Sequence, residues 1–170
     1  MVSETSHARD RLAPYCEGMG LDIGFGGDPI VPHAVTMDLQ APYTQVGDAP
    51  QNLWGDCQNL YWFRDGVLDW VYSSHLIEDF SYERQRFLIH EWLRVVKIGG
   101  VVVLYAPDEQ VYREHCERSG QPHNDGHKEA DFSCVSFKER VLPGLAAEVV
   151  HENPHVDAYS WEVVLRRTRQ

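Results

Sequence analysis

The hydrophobic positions of the chain fall into short runs separated by turn residues, and this pattern predicts a parallel sheet. The strongest run, VVVLYA, is apolar at every position, which is typical of a central strand covered on both faces. The other runs are shorter and end at glycine, proline or polar residues. We predict strands at residues 21–23, 34–38, 52–55, 67–73 and 101–106.

One helix is predicted between the fourth and fifth strands. Ser81 is a suitable N-cap, and Gly99 with Gly100 provides a suitable C-terminal stop. A strand, a helix and a strand in this order form a βαβ unit with a right-handed crossover. Four apolar residues share one stripe with the 3.6-residue period of a helix: Leu88, Trp92, Val95 and Val96.

The last third of the chain predicts a polar loop, a helix and a closing hairpin. The loop covers residues 121–131, and the helix covers residues 132–142. Residues 147–151 and 160–166 are predicted strands. The second of these alternates apolar and polar positions, so we expect an antiparallel hairpin at the sheet edge.

The segments after the first and second predicted strands have no helical period. They are short and contain Pro29, Pro32, Pro42 and Pro50, whereas parallel strands are normally joined by a crossover helix. The sequence therefore predicts an α/β, Rossmann-like, doubly wound sheet with reduced crossovers at these two places. The face left without helices would be covered by the N-terminal segment or by a second subunit in a homodimer.

Length and composition are those of one globular domain over residues 1–170. The chain has 43% hydrophobic and 24% charged residues, and its formal charge of −11 disfavours nucleic acid as a partner. The start of the chain is polar, and the chain contains no run of about 20 apolar residues that would span a membrane. Its four cysteines form no C-x-x-C pair, so we expect reduced thiols and a cytoplasmic location.

The segment LDIGFGGD contains the most informative chemistry. Asp22 precedes a G-x-G turn at Gly24 and Gly26, and Asp38 ends the second predicted strand. At these positions the glycines permit close approach of a ligand, and a carboxylate can accept hydrogen bonds from ribose hydroxyls. Pro29 stands where a dinucleotide site has its third glycine, so a nucleoside cofactor without phosphates is favoured.

These residues and three later blocks resemble the class I S-adenosylmethionine-dependent methyltransferases of the small bacterial type 11. The blocks are GLDIGFGGDPI, AVTMDL, GDCQNLYWFRDGVLDWVYSSHLIEDF and EWLRVVKIGGVVVLYAPD, and they occur in the order of the family within residues 15–108. The chain departs from the family pattern at Ile98, where the family usually has proline, and in the helix missing after the glycine turn.

The resemblance implies S-adenosylmethionine as the cofactor, with residues 1–20 as an N-terminal segment, 21–108 as the cofactor-binding core and 109–170 on the acceptor side. The methionine part would lie against Gly24 and Gly26, the ribose against Asp38, and the adenine against Asp56 and the backbone of Cys57. Asp22 would face the cationic end of the methionine tail. The remaining implied cofactor contacts are Leu39 and Ser73.

His75 follows the fourth predicted strand and is the candidate general base. Glu78 and Asp79 are predicted to cap the next helix or to orient His75. His123 and His127 have H-x₃-H spacing, but without a C-x-x-C pair we expect no metal and interpret their loop as a cover for the acceptor.

The resemblance predicts methyl transfer to a small-molecule or sugar (glycan) acceptor, at oxygen or nitrogen. Two other functions remain open at this point. One is a non-catalytic protein that binds S-adenosylmethionine without turnover. The other is a nicotinamide-dependent oxidoreductase, which Pro29 and the missing helix disfavour.

Overall fold

A seven-stranded sheet forms the centre of the computed structural model, which describes residues 3–42 and 45–169. The strands are β1 (Gly20–Ile23), β2 (Val35–Asp38), β3 (Leu53–Trp54), β4 (Leu68–Ser74), β5 (Val96–Pro107), β6 (Ala147–Val156) and β7 (Ser160–Arg167). The helices are α1 (Glu4–Leu12), α2 (Tyr82–Val95), α3 (Glu109–Ser119) and α4 (Cys134–Arg140). Within the described residues, no helix is long and apolar enough to cross a bilayer.

The strand order β3-β2-β1-β4-β5-β7-β6 confirms the predicted mostly parallel sheet. Strands β1 to β5 pair in parallel, whereas β7 is antiparallel to both β5 and β6. The register aligns Ile23 with Met37 on one side and with Ser73 on the other. The carboxyl ends of β1, β2 and β4 therefore lie level at one edge of the sheet.

Helix α2 packs on one face of the sheet through the stripe expected from the sequence. Leu88, Ile89 and Trp92 are completely buried there. The helix starts after Ser81 as predicted, but the predicted stop at Gly99 and Gly100 is wrong. The helix ends at Val95 because Val96 already pairs with Leu68, so the two glycines lie within β5.

The second face is covered by the N-terminal segment, one of the two options that the sequence left open. Ala8 and Leu12 of α1 are fully buried against Trp70 and Tyr72 of β4. Ser3 caps this helix, because its side chain accepts a hydrogen bond from the Ser6 N–H at 3.0 Å. This covering helix was not predicted. It carries no strong apolar stripe beyond the few residues that touch the sheet.

The connections after β1 and β2 contain no helix in the parts that the structure describes, which confirms the reduced crossovers. Helix α3 was missed by the sequence analysis. Only Glu109 and Cys116 of its residues are buried, so it lacks the apolar period that reveals a helix. Its ends are nevertheless defined by the Asp108 cap and by Gly120, which has a φ of +69°. The predicted helix at residues 132–142 is shorter, and the hairpin forms as expected.

Candidate active site

A cavity of about 310 Å³ opens at the carboxyl edge of the sheet, where the strand order reverses between β1 and β4. Ligands of open α/β sheets bind at such a reversal, and the volume is within the usual range of ligand sites. The sheet side of the cavity is formed by Gly24, Gly26, Asp38 and His75. The structure therefore brings together four of the residues named from the sequence.

The turn after β1 needs its glycines. Gly24 and Gly26 have φ values of +68° and +57°, a region that residues with a side chain seldom adopt. A Cβ on Gly24 would stand 2.9 Å from Leu76 Cδ2. The Gly24 N–H donates to the Met37 carbonyl at 2.8 Å, which fixes the turn beside β2.

Asp38 ends β2 at the wall of the cavity. Its Oδ2 accepts a hydrogen bond from the Gly26 N–H at 3.2 Å, and its Oδ1 accepts one from the Leu39 N–H at 2.8 Å. A carboxylate has about four acceptor positions, so each oxygen retains capacity for a further donor. The carboxylate is thus held by the backbone and can still bind two hydroxyls.

Asp22 lies behind the glycine turn and does not line the cavity. Its side chain is buried, and its Oδ2 accepts a hydrogen bond from the Ile30 N–H at 2.7 Å. Its Oδ1 has no hydrogen-bond partner among the described residues. Burial raises the pKa of Asp22 to about 8. In this structure Asp22 stabilises the segment between β1 and β2, and its contact with the cofactor stays a prediction.

The predicted adenine residues lie beside the cavity, outside its lining. The Gly55 N–H donates to the Asp38 carbonyl at 3.0 Å, so the segment after β3 follows the end of β2. The Asp56 Oδ1 accepts from the Gln58 N–H at 2.9 Å. Trp92 of α2 donates through Nε1 to the Cys57 carbonyl at 2.9 Å, which anchors this segment on the helix below.

Two more predicted cofactor residues lie at the carboxyl edge of the sheet. Leu39 is 45% exposed and follows Asp38, whereas Ser73 is buried inside β4 and its neighbour Ser74 lines the cavity. Their contacts with a cofactor remain predictions.

His75 has an unusual backbone conformation at the end of β4, with a φ of +48°. Its N–H donates to the Tyr105 carbonyl at 2.8 Å, and its Nε2 lies 3.2 Å from Ser160 Oγ and 3.5 Å from Glu4 Oε2. Burial lowers the pKa of His75 to about 4, so the imidazole is neutral at pH 7. Strained, desolvated residues of this kind are concentrated at functional sites.

The sequence model for the methyltransferase domain matches residues 21–104, which contain β1 to β4, α2 and most of β5. The chain belongs to the class I S-adenosylmethionine-dependent methyltransferases. Its cofactor is S-adenosylmethionine, and the oxidoreductase alternative is not supported. No curated protein sequence matches this methyltransferase.

Solved structures with the same fold include three distant neighbours. A protein from a study of the conversion of a disulfide bond into a thioacetal group during echinomycin biosynthesis has a TM-score of 0.70 at 18% identity, over 95% of this chain and 80% of that one. A S-adenosylmethionine-dependent methyltransferase from Clostridium acetobutylicum has a TM-score of 0.65 at 10% identity, over 98% and 91%. The magnesium protoporphyrin IX methyltransferase of Synechocystis, solved with bound S-adenosylhomocysteine, has a TM-score of 0.58 at 13% identity, over 96% and 82%.

The far side of the cavity in this methyltransferase contains polar residues that the sequence analysis missed or gave another role. Glu78 lies in a short 3₁₀ helix after β4, and burial raises its pKa well above the usual range of a glutamate. Its Oε1 is 3.8 Å from His75 Nδ1 and 3.9 Å from His127 Nε2. Glu4, Tyr112 and Tyr159 complete this side. In the sequence, this side of the cavity was indicated only by the adjacent acids Glu78 and Asp79 after the fourth predicted strand.

The polar loop brings His127 into the cavity wall but leaves His123 outside it. His127 Nδ1 is 2.5 Å from Glu109 Oε2, whereas His123 is exposed and lies 3.2 Å from Asp125. Residues 3–42 and 45–169 contain no group of three histidine, cysteine or acidic side chains placed to hold a metal.

Proposed function

We propose that this methyltransferase transfers the methyl group of S-adenosylmethionine to a small-molecule or sugar acceptor, at oxygen or nitrogen, and that nucleic acid is not its acceptor. The observation behind this proposal is a single cavity whose sheet side has the cofactor residues Gly24 and Asp38 and whose far side has Glu78 and Tyr159. A donor and an acceptor bound in this one cavity would lie side by side.

The cofactor residues fit a nucleoside without phosphates. The Asp38 carboxylate has free acceptor positions for the two ribose hydroxyls, and the turn at Gly24 and Gly26 leaves room for the methionine part. Asp56, Cys57 and Leu39 would surround the adenine at the adjoining edge. When bound, S-adenosylmethionine supplies a methyl group that its sulfonium charge has already activated.

Methyl transfer then requires an aligned acceptor and the loss of one proton from it. His75 is held by its own backbone hydrogen bond and by Ser160, and its neutral imidazole can accept that proton. On the acceptor side the cavity is lined by residues of α1 and α3, which would limit the access of water to the point of transfer. Glu4, 3.5 Å from His75 Nε2, would stabilise the imidazolium that forms.

The test combines S-adenosylhomocysteine binding, measured by calorimetry, with its release during turnover on a panel of hydroxyl and amine acceptors. We expect His75→Ala to retain binding and to lose about 100-fold or more of the turnover. His90→Ala, at an exposed position of α2, is the matched control and should behave as the wild type. Full turnover of His75→Ala would reject the role of His75, and absence of binding to the wild type would reject the proposed function.

The cytoplasmic location also remains a proposal, which the four free and buried cysteines support. A homodimer was expected because one sheet face lacked predicted helices, and that face is covered by α1. Light scattering at micromolar concentration would show whether the chain associates.

A further inference from the structure

The acceptor side of the cavity contains two glutamates, and its described lining has histidines but neither lysine nor arginine. We call it the acceptor chamber and define it by Glu4, His75, Glu78, Tyr112, His127 and Tyr159. Arg113 of α3 is paired with a carboxylate, since its Nε contacts Glu109 Oε1 at 2.5 Å. The chamber therefore disfavours a carboxylate or phosphate group on the acceptor.

Glu78 is a buried carboxyl group with one oxygen left unpaired among the described residues. Its side chain is 2% exposed and lines the cavity, yet its Oε2 has no hydrogen-bond partner within the described parts of the chain. Its Oε1 is too far from His75 and His127 for a direct hydrogen bond. Buried polar atoms are almost always satisfied, so a donor on the bound acceptor is the natural partner.

The electrostatic surroundings of Glu78 favour a positive charge. After burial, the charges of Asp79, Glu4 and Glu109 each raise the pKa of Glu78. This repulsion disfavours the ionised form of Glu78, and a cation placed beside the carboxyl group would offset the repulsion.

An aromatic wall stands beside these acids. The ring centres of Tyr112 and Tyr159 are 5.2 Å apart, and those of His115 and Tyr159 are 5.0 Å apart. Tyr159 Oη donates a hydrogen bond to Glu4 Oε1 at 2.7 Å, which connects the aromatic wall to the Glu4 carboxylate. Aromatic faces attract organic cations, most strongly where water is excluded.

We propose that the acceptor is an amine, which enters the acceptor chamber as an ammonium ion and is held by Glu78 and Glu4 against the rings of Tyr112 and Tyr159. This inference rests on the proposed function and selects nitrogen over oxygen. One N–H proton passes to Glu78 or His75 and then to solvent. The nitrogen lone pair next forms the N–C bond while the S–C bond breaks and its electron pair stays on sulfur. The products are an N-methylammonium ion and S-adenosylhomocysteine.

The test measures binding of matched probes to the complex with S-adenosylhomocysteine by calorimetry. One series is phenethylamine, 2-phenylethanol and phenylacetate, and the other is glucosamine, glucose and gluconate. We expect an amine of at least one series to bind at least tenfold more tightly than its alcohol and its acid. Glu78→Gln should weaken that amine at least tenfold, while Glu83→Gln, at an exposed position of α2, should leave it unchanged.

Glu4→Gln is a second variant at a half-exposed position, and we expect it to weaken the same amine at least threefold. Tighter binding of an alcohol or an acid, no binding of either amine, or amine binding equal in Glu78→Gln and Glu83→Gln would each overturn the inference. These outcomes leave the proposed methyl transfer intact as long as S-adenosylhomocysteine binds. Failure of S-adenosylhomocysteine to bind the wild type would overturn the proposed function and this inference with it.

Discussion

Replacing Asp38 with alanine should strongly weaken cofactor binding. The carboxylate is fixed by the N–H groups of Gly26 and Leu39 and retains one acceptor position on each oxygen for the ribose. A hydrogen bond to a charged group contributes about 1.5–3 kcal/mol. Two such bonds, at the low end of this range, amount to about 3 kcal/mol, or a Kd for S-adenosylhomocysteine raised roughly 100-fold. Asp38→Asn keeps one acceptor oxygen and should raise the Kd roughly tenfold.

Calorimetric titration of S-adenosylhomocysteine measures these constants directly. Asp69→Ala is the matched control, because the Asp69 Oδ2 likewise accepts a backbone N–H, that of Met19 at 2.9 Å, but lies outside the cavity lining. We expect this control to keep the wild-type Kd while losing some stability. A folded Asp38→Ala variant with a Kd within threefold of the wild type would refute the assignment of Asp38 to the ribose.

Two further predictions concern stability. The pKa of His75 is about 4 in the folded protein, below that of an exposed histidine, so the unfolded chain binds more protons between pH 6.5 and 4 and stability falls as the pH falls. Urea unfolding should show His75→Gln gaining about 3 kcal/mol relative to the wild type from pH 7 to pH 4, and a constant difference would contradict the buried neutral imidazole. Leu12→Ala should lower the free energy of unfolding by about 2–5 kcal/mol because Leu12 is fully buried between α1 and the sheet, whereas the exposed Met19→Ala should change it by less than about 0.5 kcal/mol. Equal effects of Leu12→Ala and Met19→Ala would show that α1 does not cover the sheet.

Several parts of the fold could be predicted because their signals are local. The apolar run in β5 and the apolar stripe of α2 consist of buried residues that are close together in the sequence. The turn at Gly24 has a positive φ, which favours glycine in any protein. The end of α2 was misplaced because pairing of Val96 with Leu68, 28 residues earlier, competes with continuation of the helix.

Helices α1 and α3 could not be predicted from periodicity. Each buries only a few residues, and the face that each presents to the molecule is set by the sheet beneath it. That Ala8 and Leu12 cover the sheet becomes clear only when the surface formed by Trp70 and Tyr72 is known.

The strands, the glycine turn and the position of Asp38 at a strand end follow from the amino-acid sequence alone, since these features depend on residues close together in the chain. The residues on the opposite side of the cavity from that turn are known only from the fold. Glu4, Glu78 and His127 come from an N-terminal helix, a 3₁₀ helix and a distant loop, and no pattern within any of these segments shows that they meet. Their meeting depends on how separate elements pack on one sheet, because long-range packing sets the distances between residues that are far apart in the chain.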